Sequence, residues 1–415
     1  MGLEDKRLRI AMLSAHSCPV GHLGTKDTGG MSVYIREVAR ELGKRGHKVD
    51  VFTRVHDPRD PLTESLGKNA RLVHLRAGGD EVIHKLVLYS YLPDFACSLE
   101  EFRKSKNIQY DIIFSHYWLS GQVGREVRQW WGVPHVIMFH TLGVIKNSLG
   151  IGEEEPELRV WTEGDLAQEC HRIITATERE KTALLSTYDI SSDRIGVVPC
   201  GVNLRMFRPL DHKLAAEQTG LHLIDGEKTV LFVGRIDSLK GIDLLIQAVA
   251  RLKSENRVRL LIVGGDKQNQ PDIVGLQALS RRLGIENNVS FLGTVKHEKM
   301  PYFYNAVDVC VVPSHYESFG LVALESLACG TPVVATNVGI LNNIIRSGET
   351  GYIVDERTAE NLADRIAAVL AWPERTAQKA RSIHNSVIDY SWTRIASRID
   401  TELQNVLTDN LALVH

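Results

Sequence analysis

Two carboxylates, Glu317 and Glu325, bracket the run Ser318-Phe319-Gly320-Leu321-Val322-Ala323-Leu324. The apolar stretch from Val307 to Pro313 reads as a buried strand, and Ser314 to Glu317 as the loop leaving its carboxyl end. A helix is predicted from Phe319 to Cys329, stopped by Gly330. Open α/β sheets bind ligands outside the carboxyl ends of their strands, and a helix N-terminus there offers amides and the positive end of a dipole to an anion. One carboxylate then stands at the mouth of a site and the other on the first turns of an apolar helix. Burying an ionised carboxyl is costly unless it is paired or bonded to hydroxyls. The bland alternative is a helix cap and a satisfied core glutamate. Two cations, Arg235 and Lys240, flank a second glycine-marked strand end at Gly234 and Gly241, the first a forked donor and the second a point charge. Gly29-Gly30 precedes Met31-Ser32-Val33-Tyr34, and a glycine pair there lets backbone approach a ligand closely. His140 follows the apolar strand Val136–Phe139. The combination suits an anion with hydroxyls attached to it.

Positioning these residues takes two sheets. A chain of 415 residues is too long for one ordinary core and suits two domains of about 200 residues each. Strands are predicted at Leu8–Ser14, Val49–Phe52, Leu72–Leu75, Ile112–Phe114, His135–Met138, Arg172–Thr175 and Ile195–Val198. A second series runs through Thr229–Val233, Arg259–Val263, Val289–Phe291, Val307–Val312, Val333–Ala335 and Gly351–Val354. Helical periodicity lies between them, as at Val33–Gly43, Gly241–Lys253 and Gly275–Leu283. Alternation of this kind, with a break near Phe207-Arg208-Pro209, gives an α/β fold of two doubly wound Rossmann-like domains facing across a cleft. After Thr358–Leu370 come Ala380–Ile388 and then Ser391-Trp392-Thr393, leading into Ile395–Leu407.

Composition excludes several classes. The formal net charge of -2 implies no nucleic-acid partner. No run of 18 apolar residues exists, so no integral membrane segment is expected. The opening Met1-Gly2-Leu3-Glu4-Asp5-Lys6 lacks the apolar core of a secretory signal and, with Lys6, the myristoylation pattern. Six cysteines, Cys18, Cys97, Cys170, Cys200, Cys310 and Cys329, are scattered without short spacings, as suits a reducing cytoplasm. No Asp-x-Asp occurs and no histidine pair has metal-ligand spacing, so neither a metal nor another cofactor is expected.

The two glutamates with Phe319-Gly320 after the first, the Asp27-Thr28-Gly29-Gly30 loop, His116-Tyr117, Phe139-His140-Thr141, Val198-Pro199-Cys200-Gly201-Val202-Asn203, and Gly234-Arg235 with Lys240-Gly241 occur in an order that resembles the retaining nucleotide-sugar glycosyltransferases of family 4, group 1. The resemblance covers nearly the whole chain. The run from Ser115-His116-Tyr117-Trp118 to Lys146-Asn147 is most similar to the branch that glycosylates inositol phosphate, with the sucrose-phosphate branch second. One departure is Ser32, where the first branch usually carries Asn.

The resemblance implies a GT-B architecture: residues 1–206 binding the acceptor, 207–388 binding the nucleotide sugar, and 389–415 crossing back to the first domain with Trp392 at the crossing. It implies a retaining hexosyltransferase, with UDP as the expected nucleotide and a phosphorylated small acceptor such as inositol phosphate. Arg235 and Lys240, with the amides of Phe319, Gly320 and Leu321, would neutralise the leaving diphosphate, where donors gain most. Glu325 would take the ribose hydroxyls, Glu317 and His140 the reacting sugar, and Val295 the base, with Gly29, Gly30 and Ser318 lining the donor site. The acceptor phosphate would fall to Lys85, Tyr117, Thr141, Lys146 and Arg159. A homodimer is one assembly open to the chain. Alternatives are glucose transfer to fructose 6-phosphate and a non-catalytic nucleotide-sugar sensor. A dehydrogenase is disfavoured because no compact G-x-G-x-x-G follows the first strand.

Overall fold

The computed structural model describes residues 7–21, 29–79, 83–221, 224, 226–252, 257–265, 270–373 and 376–412. Asp27 and Thr28 of the expected glycine loop, and Lys253, lie outside the described residues. The first half builds a sheet in the order β3-β4-β2-β1-β5-β6-β7-β8, from β1 (Arg9–Leu13), β2 (Lys48–Arg54), β3 (Thr63–Gly67), β4 (Ala70–Leu75), β5 (Ile112–His116), β6 (His135–Met138), β7 (Arg172–Thr175) and β8 (Ile195–Val197). The second builds β11-β10-β9-β12-β13-β14, from β9 (Lys228–Val233), β10 (Val258–Val263), β11 (Val289–Gly293), β12 (Val309–Val312), β13 (Val333–Thr336) and β14 (Gly351–Val354). All named pairings are parallel except β3 with β4.

The parallel strands are short apolar runs such as Ile-Ile-Phe-Ser-His in β5, buried along their whole length because helices cover both faces. Strand β3 escapes the sequence reading because it is a polar edge strand with only Leu66 buried. It is a hairpin partner of β4, with Asn69 in the left-handed region at φ 58° next to the turn.

The chain crosses between the halves twice, and the crossings are bonded to each other: Val202 N donates to Tyr390 O at 2.8 Å and Trp392 N to Val202 O at 3.3 Å. From there the Trp392–Ala412 helix returns to the first half and packs on the Gly30–Lys44 helix. Its buried Ile395, Ile399 and Leu403 recur at i and i+4. Arg45 Nε binds Asp400 at 2.8 Å, Thr393 Oγ1 donates to Glu41 at 2.9 Å, and Arg172 Nε reaches Glu402 at 2.7 Å. Trp392 lies over Gly201, where a Cβ would stand 2.6 Å from the indole. One apolar cluster accordingly runs from β1 through Phe207 and Trp392 into β12. No helix among the described residues is long and apolar enough to cross a membrane.

Candidate active site

Strand order reverses between β1 and β5 in one sheet and between β9 and β12 in the other, so each half presents a crevice at its carboxyl strand ends. Two of the cavities in the cleft adjoin each other. The first is lined by Arg235, Lys240, Val263, Thr294, Val295, His297, Met300, Glu317, Phe319, Leu321, Val322 and Glu325, closed from the other half by Gly29, Gly30 and Val33. The second is lined by His16, Lys85, Tyr117, His140, Thr141, Lys146, Tyr316, Ser318 and, again, Gly29, Gly30, Arg235, Lys240, Glu317 and Phe319. The shared residues mark the junction where a group held in one cavity meets a group held in the other.

Lys240 Nζ lies 2.6 Å from Glu317 Oε2 at that junction. Lys240 ends a short turn closed by Gly241 at φ 65°, where a Cβ would lie 2.3 Å from Pro313 O. No side chain fits there, and this contact seats the β9 loop on the end of β12. The helix after Glu317 begins later than the sequence suggested, at Leu321, because Gly320 takes a left-handed φ of 62°. Phe319 and Gly320 are therefore loop residues, and their amides lie close enough to the Glu317 carboxylate to favour its charged form. Burial alone would raise the Glu317 pKa; the Lys240 charge and bond and these two amides outweigh it and hold the carboxyl below its usual range. Glu325 accepts from His297 Nε2 at 2.6 Å and from the Tyr304 hydroxyl at 2.9 Å, which satisfies part of a carboxylate that has further lone pairs for the cavity. Burial lowers the His297 pKa, but the charge and bond of Glu325 reverse the shift upward. Arg235 lines both cavities and lies 3.3 Å from Asp237.

His140 is buried at φ 64°, a strained conformation for a non-glycine residue. Its Nε2 faces His116 Nδ1 at 2.9 Å, while its Nδ1 has no protein partner. Burial, and then His116, hold its pKa well below the ordinary value, so the ring is neutral at pH 7. Phe319 packs edge-on to His140 at 5.2 Å and stacked on Tyr34 at 5.6 Å, joining the halves over the junction. Ser32 is turned away from both cavities, bonded to Ser17 at 2.7 Å.

Of the five residues expected at an acceptor phosphate, four line the second cavity and Arg159 does not. Arg159 is fully buried behind that wall: Nε donates to Glu163 at 2.6 Å, and Nη2 to the carbonyl and hydroxyl oxygens of Thr141 at 2.8 and 2.9 Å. Its guanidinium sits 4.8 Å from the Tyr117 ring centroid, and Tyr117 is itself at φ 75°. Its place is to hold Thr141 and Tyr117 against the cavity. Sequence reasoning missed His16, Tyr316 and His297. His16 packs against Tyr117 with ring centroids 4.4 Å apart and tilted by 36°, and burial, then Lys85, lowers its pKa to about 3. Tyr316 precedes Glu317 and His297 follows Val295 by two positions, so adjacency to those residues was a signal for both, whereas His16 comes to the cleft through the fold. No group of three or more His, Cys, Asp or Glu that could hold a metal ion occurs among the described residues.

Comparison with known proteins agrees with this arrangement. Residues 28–205 match the family described as Glycosyltransferase Family 4, and residues 217–384 match Glycosyl transferases group 1. The chain is 39% identical to the D-inositol 3-phosphate glycosyltransferase of Rhodococcus erythropolis over 94% of its length and 89% of that protein. With the protein of the same name from Acidothermus cellulolyticus it shares 40% identity, over 92% of this chain and 87% of the other. Among solved structures, sucrose-phosphate synthase from Thermosynechococcus elongatus superposes with a TM-score of 0.87 at 32% identity, covering 97% of this chain and all of that one.

Proposed function

The chain belongs to the family 4, group 1 glycosyltransferases, and from that premise we propose that it moves a hexosyl group from a UDP-sugar to a phosphorylated polyol, inositol phosphate, with retention at the anomeric carbon. The observation that carries this reading is the pair Lys85 and Lys146, which line the cavity sharing Glu317 and Lys240 with the donor side. A dianion needs cations and hydroxyls converging from different loops, and the Thr141 and Tyr117 side chains stand beside these lysines. The names of the relatives support inositol phosphate as the acceptor.

On the donor side, Val295 and Thr294 flank the base, Glu325 takes the ribose hydroxyls, and Arg235 and Lys240 meet the diphosphate. Lys240 is held by Glu317 until the diphosphate arrives and then divides between them. As the anomeric C–O bond to the diphosphate breaks, charge grows on the leaving oxygen beside these cations. The acceptor hydroxyl attacks from the same face and gives its proton to the departing phosphate, so a neutral His140 suffices to orient the sugar. Glu317 steadies the positive charge that develops on the ring. No metal or other cofactor enters the scheme, and the reaction takes place in the cytoplasm.

The test is a turnover panel of UDP- and GDP-sugars against inositol phosphate, fructose 6-phosphate and their unphosphorylated forms, with Lys146→Ala beside the wild type. Equal use of free and phosphorylated acceptors by the wild type would overturn the reading. Fructose 6-phosphate is the second candidate, favoured by the similarity to sucrose-phosphate synthase over the full chain.

A further inference from the structure

Glu155 closes the acidic run Glu153-Glu154-Glu155, and unlike the other two it is buried. Three cations converge on its carboxylate: Arg159 Nη1 at 2.9 Å, Lys85 Nζ at 3.5 Å, and Lys146 Nζ on the other oxygen. Lys85 is 70 residues away in the chain and opens the Lys85–Tyr89 helix, so only the fold assembles the set. The backbone of Glu155 is clamped as well: its N–H donates to Asn147 Oδ1 at 2.7 Å, and Asn147 Nδ2 donates to its carbonyl at 2.9 Å. Burial alone would raise its pKa, but Arg159, Lys146 and Lys85 together bring the carboxyl down to about 2. The group is thus a fixed anion at every working pH.

A buried carboxylate with three cationic partners is more than one ion pair needs, and its location explains the excess. Glu155 is not part of the cavity wall, whereas Lys85 and Lys146 are. Both lysines therefore line the cavity while their ammonium groups are held by a carboxylate outside its wall. Arg159 is occupied by Glu163 and Thr141 and cannot turn outward. We propose that Glu155 is the positioning residue of the acceptor-phosphate site, holding Lys85 and Lys146 at a converging geometry before the acceptor arrives. The assignment rests on the phosphorylated-acceptor reading above. Lysines ordered in advance lose less freedom when the phosphate docks, and three cations against Glu155 and Glu163 leave one net positive charge to receive it. Orientation outweighs the repulsion between carboxylate and phosphate because Glu155 is outside the cavity wall that the lysines help to form.

The experiment compares wild type with Glu155→Gln and Glu155→Asp, measuring KM for inositol phosphate, kcat at saturating acceptor, and the affinity of inorganic phosphate by its protection against thermal unfolding. Glu155→Gln should raise KM tenfold or more and weaken phosphate protection in parallel, with UDP affinity unchanged and kcat within about threefold. Glu155→Asp, which keeps the charge but withdraws it, should fall between the two, and it carries the test if the Gln variant does not fold. An unchanged or lowered KM in both variants overturns the assignment, since a lowered KM would mean that Glu155 competes with the phosphate. Failure of the acceptor reading reads out separately, as a wild type that uses free inositol equally well. In that event equal inorganic-phosphate affinity in wild type and Glu155→Gln overturns the Glu155 role too.

Discussion

Replacing Glu325 by Ala should weaken nucleotide binding itself, whereas Glu317→Ala should spare binding and lower turnover. Glu325 is buried and already accepts from His297 and Tyr304; the ribose would occupy the remaining lone pairs. A hydrogen bond to a charged group is worth about 1.5–3 kcal/mol, so losing two hydroxyl contacts, offset in part by water entering the gap, costs about 3 kcal/mol, or roughly 150-fold in Kd. Glu317 is different, because its carboxylate is bonded to Lys240 and lies near the Phe319 and Gly320 amides. Removing it frees Lys240 for the diphosphate, so UDP affinity should stay within about threefold. Turnover should fall by roughly 100- to 1,000-fold, the size expected for one electrostatic group at a reacting centre. Calorimetry with UDP alone measures the first effect, and saturated turnover measures the second. Equal loss of UDP affinity in the two variants would refute the division of roles.

Gly241→Ala forces a left-handed φ of 65° on a side chain 2.3 Å from Pro313 O; urea denaturation should show a loss of about 2 kcal/mol or more, and a loss under about 0.5 kcal/mol would contradict the contact. Burial raises the Glu180 carboxyl to about 7; the folded state then binds more protons than the unfolded one between pH 4.5 and 7, so stability falls as pH rises through that window. Glu180→Gln keeps an acceptor for the Ala176 amide and should be more stable than wild type at pH 8 by about 1–3 kcal/mol, with the two converging below pH 4; parallel pH curves would disprove it. Phe319→Ala removes the stack on Tyr34 and the contact with His140, worth about 0.5–1.5 kcal/mol per aromatic pair. X-ray scattering should then show a larger radius without ligand that shrinks with UDP plus acceptor, and scattering identical to wild type in both states would rule out this clasp.

Much of the architecture was legible because parallel strands buried on both faces are written as short apolar runs. His135–Met138, Arg172–Thr175 and Gly351–Val354 stand where periodicity put them. Strand β3 was not legible, since Thr63-Glu64-Ser65 at a sheet edge looks like a loop. The helix after Glu317 starts two residues later than its pattern predicts, because a glycine suits a helix or a loop with equal ease and only its φ of 62° decides.

The sequence by itself determined the two α/β halves and the residues with chemistry to offer, because residue type and local spacing suffice for each, and the order of its motifs carries the resemblance to the glycosyltransferase family. Tertiary structure decided what those residues are bonded to. Lys240 meets Glu317 across 77 positions, and His297 meets Glu325 across 28. Arg159, an apparent phosphate ligand by its place in the chain, is buried behind the wall, and Glu155, unremarked in an acidic run, gathers three cations. Whether a charge faces a ligand or another side chain depends on contacts between distant loops, and local spacing carries no record of those.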